Sequence, residues 1–452
     1  MGGRLRPTAS RSRRRSPIQD RRQFLSAAAL PAATAVLGPA LVEPPGLERL
    51  SALCAELEGS DPQALAMDEA LWAQVSQAFT VDRSVVNLNN GGVSPSPAVV
   101  QSAHKRHLDY SNELPPHHLW QVLDRQVDGV RAQLARLFGC DSEEVAITRN
   151  ASESLQTCQQ GFDLERGDEV LTSDQDYPRM LTTFRQRERR DGLVLRTIPL
   201  PIPCEDPAEV VRRFEAAITP RTRLILCSHV VFLTGQILPV REVVELGRRR
   251  GIPVVVDGAH AFAHFPFTRD ELGCDYYGTS LHKWLFAPHG TGMLYVRKDR
   301  IASLWPLMAA PAERDGDIRK FEEIGTHPAA GYLAIGEALA FHHMLGPARK
   351  AARLRFLRDH WARRLLAKSD RVRLYTSLDP RFSCGIATVG FEGLESGALQ
   401  GHLWERHKIL TTGITHEGID GLRVTPSVYT ELEELDRFCD AVEQVLEKGL
   451  PS

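Results

Sequence analysis

The sequence predicts an α/β protein in which a large domain, built on a mainly parallel sheet between helices, is followed by a smaller C-terminal α+β domain. Three observations predict it. Short apolar runs alternate with helical stretches from residue 145 to about residue 297, and that alternation marks strand–helix–strand units with helices on both faces of a sheet. Beyond Gly331 the chain turns helical again and ends in a shorter mixed region. With 452 residues, 42% hydrophobic and 25% charged, it exceeds one ordinary domain and has ample material for its cores.

The first 45 residues read as a leader. Arginines crowd residues 4–22, and DRRQFLS then runs into FLSAAALPAATAVLGPA, 17 residues interrupted by two prolines. This is the three-part order of an export signal, and the apolar part is short for a bilayer span, which needs about 20 strongly apolar residues. The pair Arg21–Arg22 before Phe24 and Leu25 resembles a bacterial twin-arginine signal, implying a periplasmic or extracellular protein. The alternative is a basic tail and an Ala-rich helix on a cytoplasmic protein. The leader also skews the charge. The whole chain carries 55 Lys+Arg against 57 Asp+Glu, but its first 22 residues hold eight arginines and one aspartate. The remainder has a net charge of −9, which disfavours a nucleic-acid footprint on the folded body.

Residues 46–90 form an N-terminal helical segment, expected to pack on the small domain, with GSDP at 59–62 as a break. The stretch NLNNGGVSPSP at 87–97 is too rich in turn formers for helix or strand. Leu123, Val127, Val130, Leu134 and Leu137 follow at helical spacing, with Gly139 where a C-terminal cap belongs. In the large domain, residues 91–330, the apolar runs are VAIT at 145, VLTS at 170, LVLRTIPL at 193, TRLILCSHV at 222, PVVVDGAH at 253 and GTGMLYVR at 290. Ligands collect at the carboxyl ends of such strands. The small domain, 331–452, reads as helix from Tyr332 to about Leu366, a strand at IATVGF (386) and a last helix from Glu431. Eight scattered cysteines show neither a disulfide framework nor metal-ligand spacing, and no metal is expected.

Two residues carry the chemistry. In SLHKWLFAPHGTG (280–292) Lys283 lies in an otherwise apolar strand-to-loop passage. Desolvation there disfavours the ammonium and supplies the neutral amine that attacks carbonyls; the bland alternative is a surface lysine whose stem covers Trp284. Twenty-six residues earlier PVVV ends in Asp257. A carboxylate at a strand tip can keep a pyridine nitrogen protonated, or it can merely cap the next helix. The turn Arg149–Ser154 after VAIT offers an anion-binding helix start at Ala151 and Ser152, with Ser280 and His282 as further donors.

Together with NLNNGG at 87, TRNASES at 148, SDQDYP at 173, SHVVFLTG at 228, VDGAH at 256, IGTHP at 324 and LRVTPSVY at 422, these motifs resemble the class V aminotransferases. The branch they are nearest is that of the isopenicillin N epimerases, and the resemblance spans about residues 85–445. It implies fold type I of the pyridoxal-phosphate enzymes, with a seven-stranded type of sheet, and pyridoxal 5′-phosphate as cofactor. Lys283 then matches the lysine that forms the Schiff base and shuttles protons, Asp257 the pyridinium partner, and His260 a contact to the ring hydroxyl. Tyr177 takes the place of a ring stacked on the cofactor. Ala151, Ser152, Ser280 and His282 match phosphate ligands, and Thr326 matches one donated by a neighbouring subunit, implying a homodimer. Arg423 matches the arginine that holds the substrate carboxylate, with Asn90 beside it as a substrate ligand.

Departures from the pattern narrow the reading. The stretch TTGITHEGIDG (411–421) lacks the nucleophilic cysteine of the desulfurases, and EEIGT (322–326) lacks the arginine they place before the GT pair. Phe232 points to a more apolar pocket. The resemblance implies an enzyme acting at the Cα of an amino acid, by transamination or lyase chemistry first and by epimerisation as the alternative. A non-catalytic binding protein that keeps the fold is the second alternative. A Ser/His hydrolase is disfavoured by the absence of a G-x-S-x-G elbow.

Overall fold

A computed structural model describes residues 47–450; the predicted leader lies outside the described residues. Thirteen strands are numbered in order among the described residues. Seven form the central sheet: β2 (Val145–Thr148), β3 (Glu169–Ser173), β4 (Val194–Ile198), β5 (Thr222–Ser228), β6 (Val254–Asp257), β7 (Tyr276–Ser280) and β8 (Gly292–Val296), in the spatial order β2-β8-β7-β6-β5-β3-β4. Only β8 runs against its neighbours. The inner strands β5 and β6 are largely apolar runs because helices cover both faces. Edge strand β4 exposes Arg196 and Thr197, charge and polarity that suit a free edge.

This topology puts the tips of β2, β3, β5, β6 and β7 on one rim, and β8 starts there. Gly292, the first residue of β8, pairs with both Ser280 and Thr148. The helix Ala151–Gly161 begins at the same rim and lies tight on β7. A Cβ at Gly278 would stand 2.9 Å from side-chain atoms of Ser154 and Leu155, so only glycine permits that approach. The helix Asp124–Phe138 ends as expected at Gly139, whose φ of 79° is left-handed.

The smaller layer is antiparallel, in the order β12 (Thr412–His416), β13 (Ile419–Val424), β10 (Ala387–Phe391) and β9 (Val372–Leu374). It packs on the helices Pro347–Lys368 and Leu432–Lys448, around Leu357, Trp361, Leu422 and Phe438. The expected single helix after Tyr332 is divided into Ala329–Leu333, Ile335–Leu345 and Pro347–Lys368; Gly346 takes a positive φ and Pro347 cannot continue a helix.

The N-terminal helices lie against Pro347–Lys368, where Arg353 donates to the Ala66 carbonyl and pairs with Glu69, and Arg349 donates to the Cys54 carbonyl. The Asn/Gly-rich stretch, read as loop, starts with strand β1 (Val86–Asn87), parallel to β11 (Ile409–Leu410), and continues through an Asn89–Thr425 bridge. All eight cysteines are free. Among the described residues no helix is long and apolar enough to cross a membrane.

Candidate active site

The rim gathers the buried polar side chains. Asp257, the last residue of β6, accepts one side-chain hydrogen bond, from the Ala259 amide at 2.9 Å. Burial pushes its carboxyl up from the ordinary range, against the pull of nearby Lys283. Three residues past β7, Lys283 directs Nζ to His260 Nε2 at 3.1 Å. Burial lowers the Lys283 ammonium, Asp257 opposes that shift, and Arg423 adds to it. His260 is held well below its ordinary value by burial, and its Nδ1 has no partner. A lysine disfavoured as a cation beside a neutral imidazole is a nucleophile and base held ready.

Arg423 enters from the opposite side, on β13. Its Nη1 donates to the Phe232 carbonyl at 2.9 Å and its Nη2 to Asn89 Oδ1 at 3.1 Å, while Nε has no partner. No carboxylate of the described residues pairs with it, although it is only 6% exposed. Burial pulls the guanidinium down to about 10. A buried cation without a counter-ion is costly, and a ligand carboxylate would answer it in the bidentate geometry that arginine favours. Tyr177 caps this side at 40% exposure, edge-on to Phe232 with ring centroids 5.2 Å apart.

At the helix start, Asn150 accepts the Glu153 amide and Ser280 Oγ accepts the Ala151 amide at 2.9 Å, leaving the Ser152 amide without a protein acceptor. His282 turns Nδ1 to the Thr291 carbonyl at 3.1 Å, and burial lowers its imidazole to about 4. It donates from Nε2 only with a second proton, which a phosphate dianion would favour.

The structure thus brings Lys283, Asp257, His260, Ser280 and Ala151 to one rim, with Ser152 and His282 beside them. Two expected ligands stand differently. The Asn90 side chain is consumed within the protein: it donates to the Asn87 and Thr425 carbonyls and accepts the Tyr429 hydroxyl at 2.6 Å. It shapes the loop, and its neighbour Asn89 reaches Arg423. Thr326 is exposed on a turn and has no hydrogen bond to the other predicted residues.

Sequence reasoning passed over Asp176. This buried carboxylate accepts the Thr172 hydroxyl, the Ser173 amide and hydroxyl, and the Ser228 hydroxyl, tying the tips of β3 and β5 beneath Tyr177. Its only local signal was an aspartate one residue before Tyr177.

These groups fit pyridoxal 5′-phosphate on their own chemistry. Asp257 keeps one oxygen for a ring N–H, His260 Nδ1 is a buried polar atom in want of a partner, and the Ser152 amide faces out from a helix N-terminus.

Residues 85–438 match the aminotransferase class-V family. The chain is 36% identical over 405 residues to the isopenicillin N epimerase of Streptomyces clavuligerus, covering 83% of this chain and 99% of that one. It is 32% identical over 401 residues to the isopenicillin N epimerase of Amycolatopsis lactamdurans, covering 83% and 98%. Among solved structures, a mutant of the enzyme C-DES, with glycine covalently linked to its PLP cofactor, shares the fold at a TM-score of 0.72 and 24% identity, over 81% of this chain and 98% of that one. The chain belongs to the class V aminotransferase family of enzymes, with pyridoxal 5′-phosphate as its cofactor.

Proposed function

We propose that this enzyme inverts the Cα configuration of an amino acid. The observation that carries Cα chemistry is an unanswered buried guanidinium, Arg423, close enough to the half-buried amine of Lys283 to depress it. Arg423 binds the substrate carboxylate and fixes the orientation of Cα. Lys283, partly relieved of its charge by burial, takes the Cα proton as general base, and His260 at 3.1 Å holds the amine in line. Asp257 would hold the ring nitrogen of the cofactor, keeping it protonated. The bound cofactor supplies the electron sink that makes the Cα proton acidic. Inversion also needs a proton returned to Cα on the face away from Lys283, and the Tyr177 phenol, beside Phe232, would be its donor.

Inversion is favoured over transamination and elimination by the similarity to two epimerases along nearly their whole length. Transfer of sulfur through a persulfide is disfavoured by the lack of cysteine in residues 411–421. A homodimer in which Thr326 reaches the neighbouring site, and export through Arg21–Arg22, belong to the same proposal.

Incubation of holoenzyme with single amino acid enantiomers in deuterium oxide tests it. Formation of the opposite enantiomer carrying deuterium at Cα supports inversion. A keto acid with cofactor converted to its amine form would establish transamination instead, and a released β-substituent would establish elimination.

A further inference from the structure

A second lysine lies behind the first. Lys350, in the first turn of Pro347–Lys368, is fully buried at 0% exposure. No carboxylate of the described residues pairs with it. Its Nζ donates to the Trp284 carbonyl, one residue beyond Lys283, and stands 3.9 Å above the Phe286 ring centroid and 3.5 Å from His342 Nδ1. Burial pushes the Lys350 amine well below its ordinary value, and these partners engage its N–H groups without a counter-ion. An apolar side chain would fill that space more cheaply if filling were the whole requirement.

What Lys350 grips is strained. Phe286 has a φ of 62°, in the left-handed region that aromatic residues avoid, and of the three such non-glycine residues a second is Ala263, with φ 59°. The two turns face each other at the site. Trp284 stacks on His264 with centroids 3.7 Å apart and planes at 1°. His264 bonds the His260 carbonyl at 2.8 Å through Nδ1, and its Nε2 accepts the Gly385 amide at 2.8 Å. The Trp284 indole N–H has no acceptor, so packing and stacking rather than a hydrogen bond hold the ring, and the backbone of its turn is tied down from behind by Lys350. A closed circuit results: Lys283 to His260, His260 to His264, His264 to Trp284, and Trp284 back to Lys283 along the chain.

We propose that Lys350 is a positioning residue for Lys283: by anchoring the Trp284 carbonyl and the Phe286 ring it holds the strained turn that aims the Lys283 amine at His260. The proposal rests on Lys283 being the reacting amine.

The test uses Lys350→Met, which keeps the stem and removes the donors, and Lys350→Arg, which keeps the donors on a longer head. In the cofactor-free protein, acetic anhydride labelling of Lys283 is followed against pH by mass spectrometry. The titratable and charged groups that face this amine are Asp257, His260, His282 and Arg423. Released from its half-buried seat, Lys283 in Lys350→Met is expected to label with a midpoint raised by about one pH unit, towards an ordinary lysine. Its holoenzyme should lose roughly tenfold or more in kcat with little change in KM, as befits a misaimed base. Lys350→Arg should shift less.

A labelling midpoint and kcat equal to the parent's in a folded Lys350→Met protein would overturn the proposal, as would loss of folding in both variants, which would assign Lys350 to core stability alone. If only Lys350→Met fails to fold, Lys350→Arg decides by the same readings. Failure of the parent holoenzyme to be fixed by borohydride at Lys283 would instead overturn the functional reading.

Discussion

Two arginines, buried to the same degree in different regions, show what separates scaffold from site. Arg131, 5% exposed behind the central sheet, meets both oxygens of Glu322, lies 3.3 Å from Asp128 and donates to the Val145 carbonyl at 2.9 Å. Glu322 in turn accepts the Ile147 amide, so the cluster pins β2 to the turn Ile318–Glu322. Its carboxylate partners hold the Arg131 guanidinium above its ordinary value despite burial. Arg423, 6% exposed in the cleft, has one carbonyl and one amide oxygen and is pulled down. One cation is answered within the protein; the other is left for a ligand.

The largest effect expected from this contrast is at the amine opposite Arg423. Lys283→Ala should lower kcat by about 10³-fold or more, since it removes both attachment and base. The protein should purify without the absorbance that borohydride bleaches in the parent, and its melting temperature without cofactor should not fall. Retained turnover would remove the cleft's claim to be the active site.

On the scaffold side the order reverses. Glu322→Gln leaves Arg131 buried and underpaired, and should cost about 3 kcal/mol of stability by urea denaturation, with specific activity of the folded fraction unchanged. The matching change in the cleft, Arg423→Met, relieves an unpaired buried charge. It should therefore leave stability equal or slightly higher while lowering kcat/KM by about 10²-fold, mostly through KM. A destabilised Arg423→Met protein with normal KM would erase the distinction between the two arginines.

The same distinction explains what could be read from the chain. β5, β6 and β8 were visible as apolar runs; Asp257 stood out because it ends one of them, and Lys283 because it is a lone charge in an apolar passage. Tyr276–Ser280 escaped notice as a strand because Gly278 and Thr279 break the apolar pattern. Its burial rests on the close helix at Gly278 and on the bond from the Thr279 hydroxyl to the Gly258 carbonyl at 2.9 Å. Asn89 and Asn90 are indistinguishable in sequence, and only the pairing of β1 with β11 decides which one faces Arg423. Lys350 and Asp176 owe their roles partly to distant partners, 66 residues away at Trp284 and 52 away at Ser228, which no local motif encodes.

A third buried group separates charge from ligand demand more finely. His229, at the tip of β5, lies among Phe265, Phe267 and Tyr277, and its Nδ1 has no partner. Unlike Arg423 it avoids the cost by staying neutral: burial lowers it to about 3. Its folded value therefore lies below its unfolded one of about 6.5, so the unfolded chain binds the extra proton as pH falls. The stability that the neutral ring contributes is complete above pH 6.5 and is lost as pH drops towards 3. Over that interval one proton costs about 1.4 kcal/mol per pH unit. His260, His264 and His342, also lowered by burial, make the parent's slope steeper still. Urea denaturation of the cofactor-free protein at pH 7, 6 and 5 should show His229→Leu losing stability more slowly than the parent by about that amount per unit. Parallel lines for the two proteins would mean that His229 takes up its proton without leaving the fold.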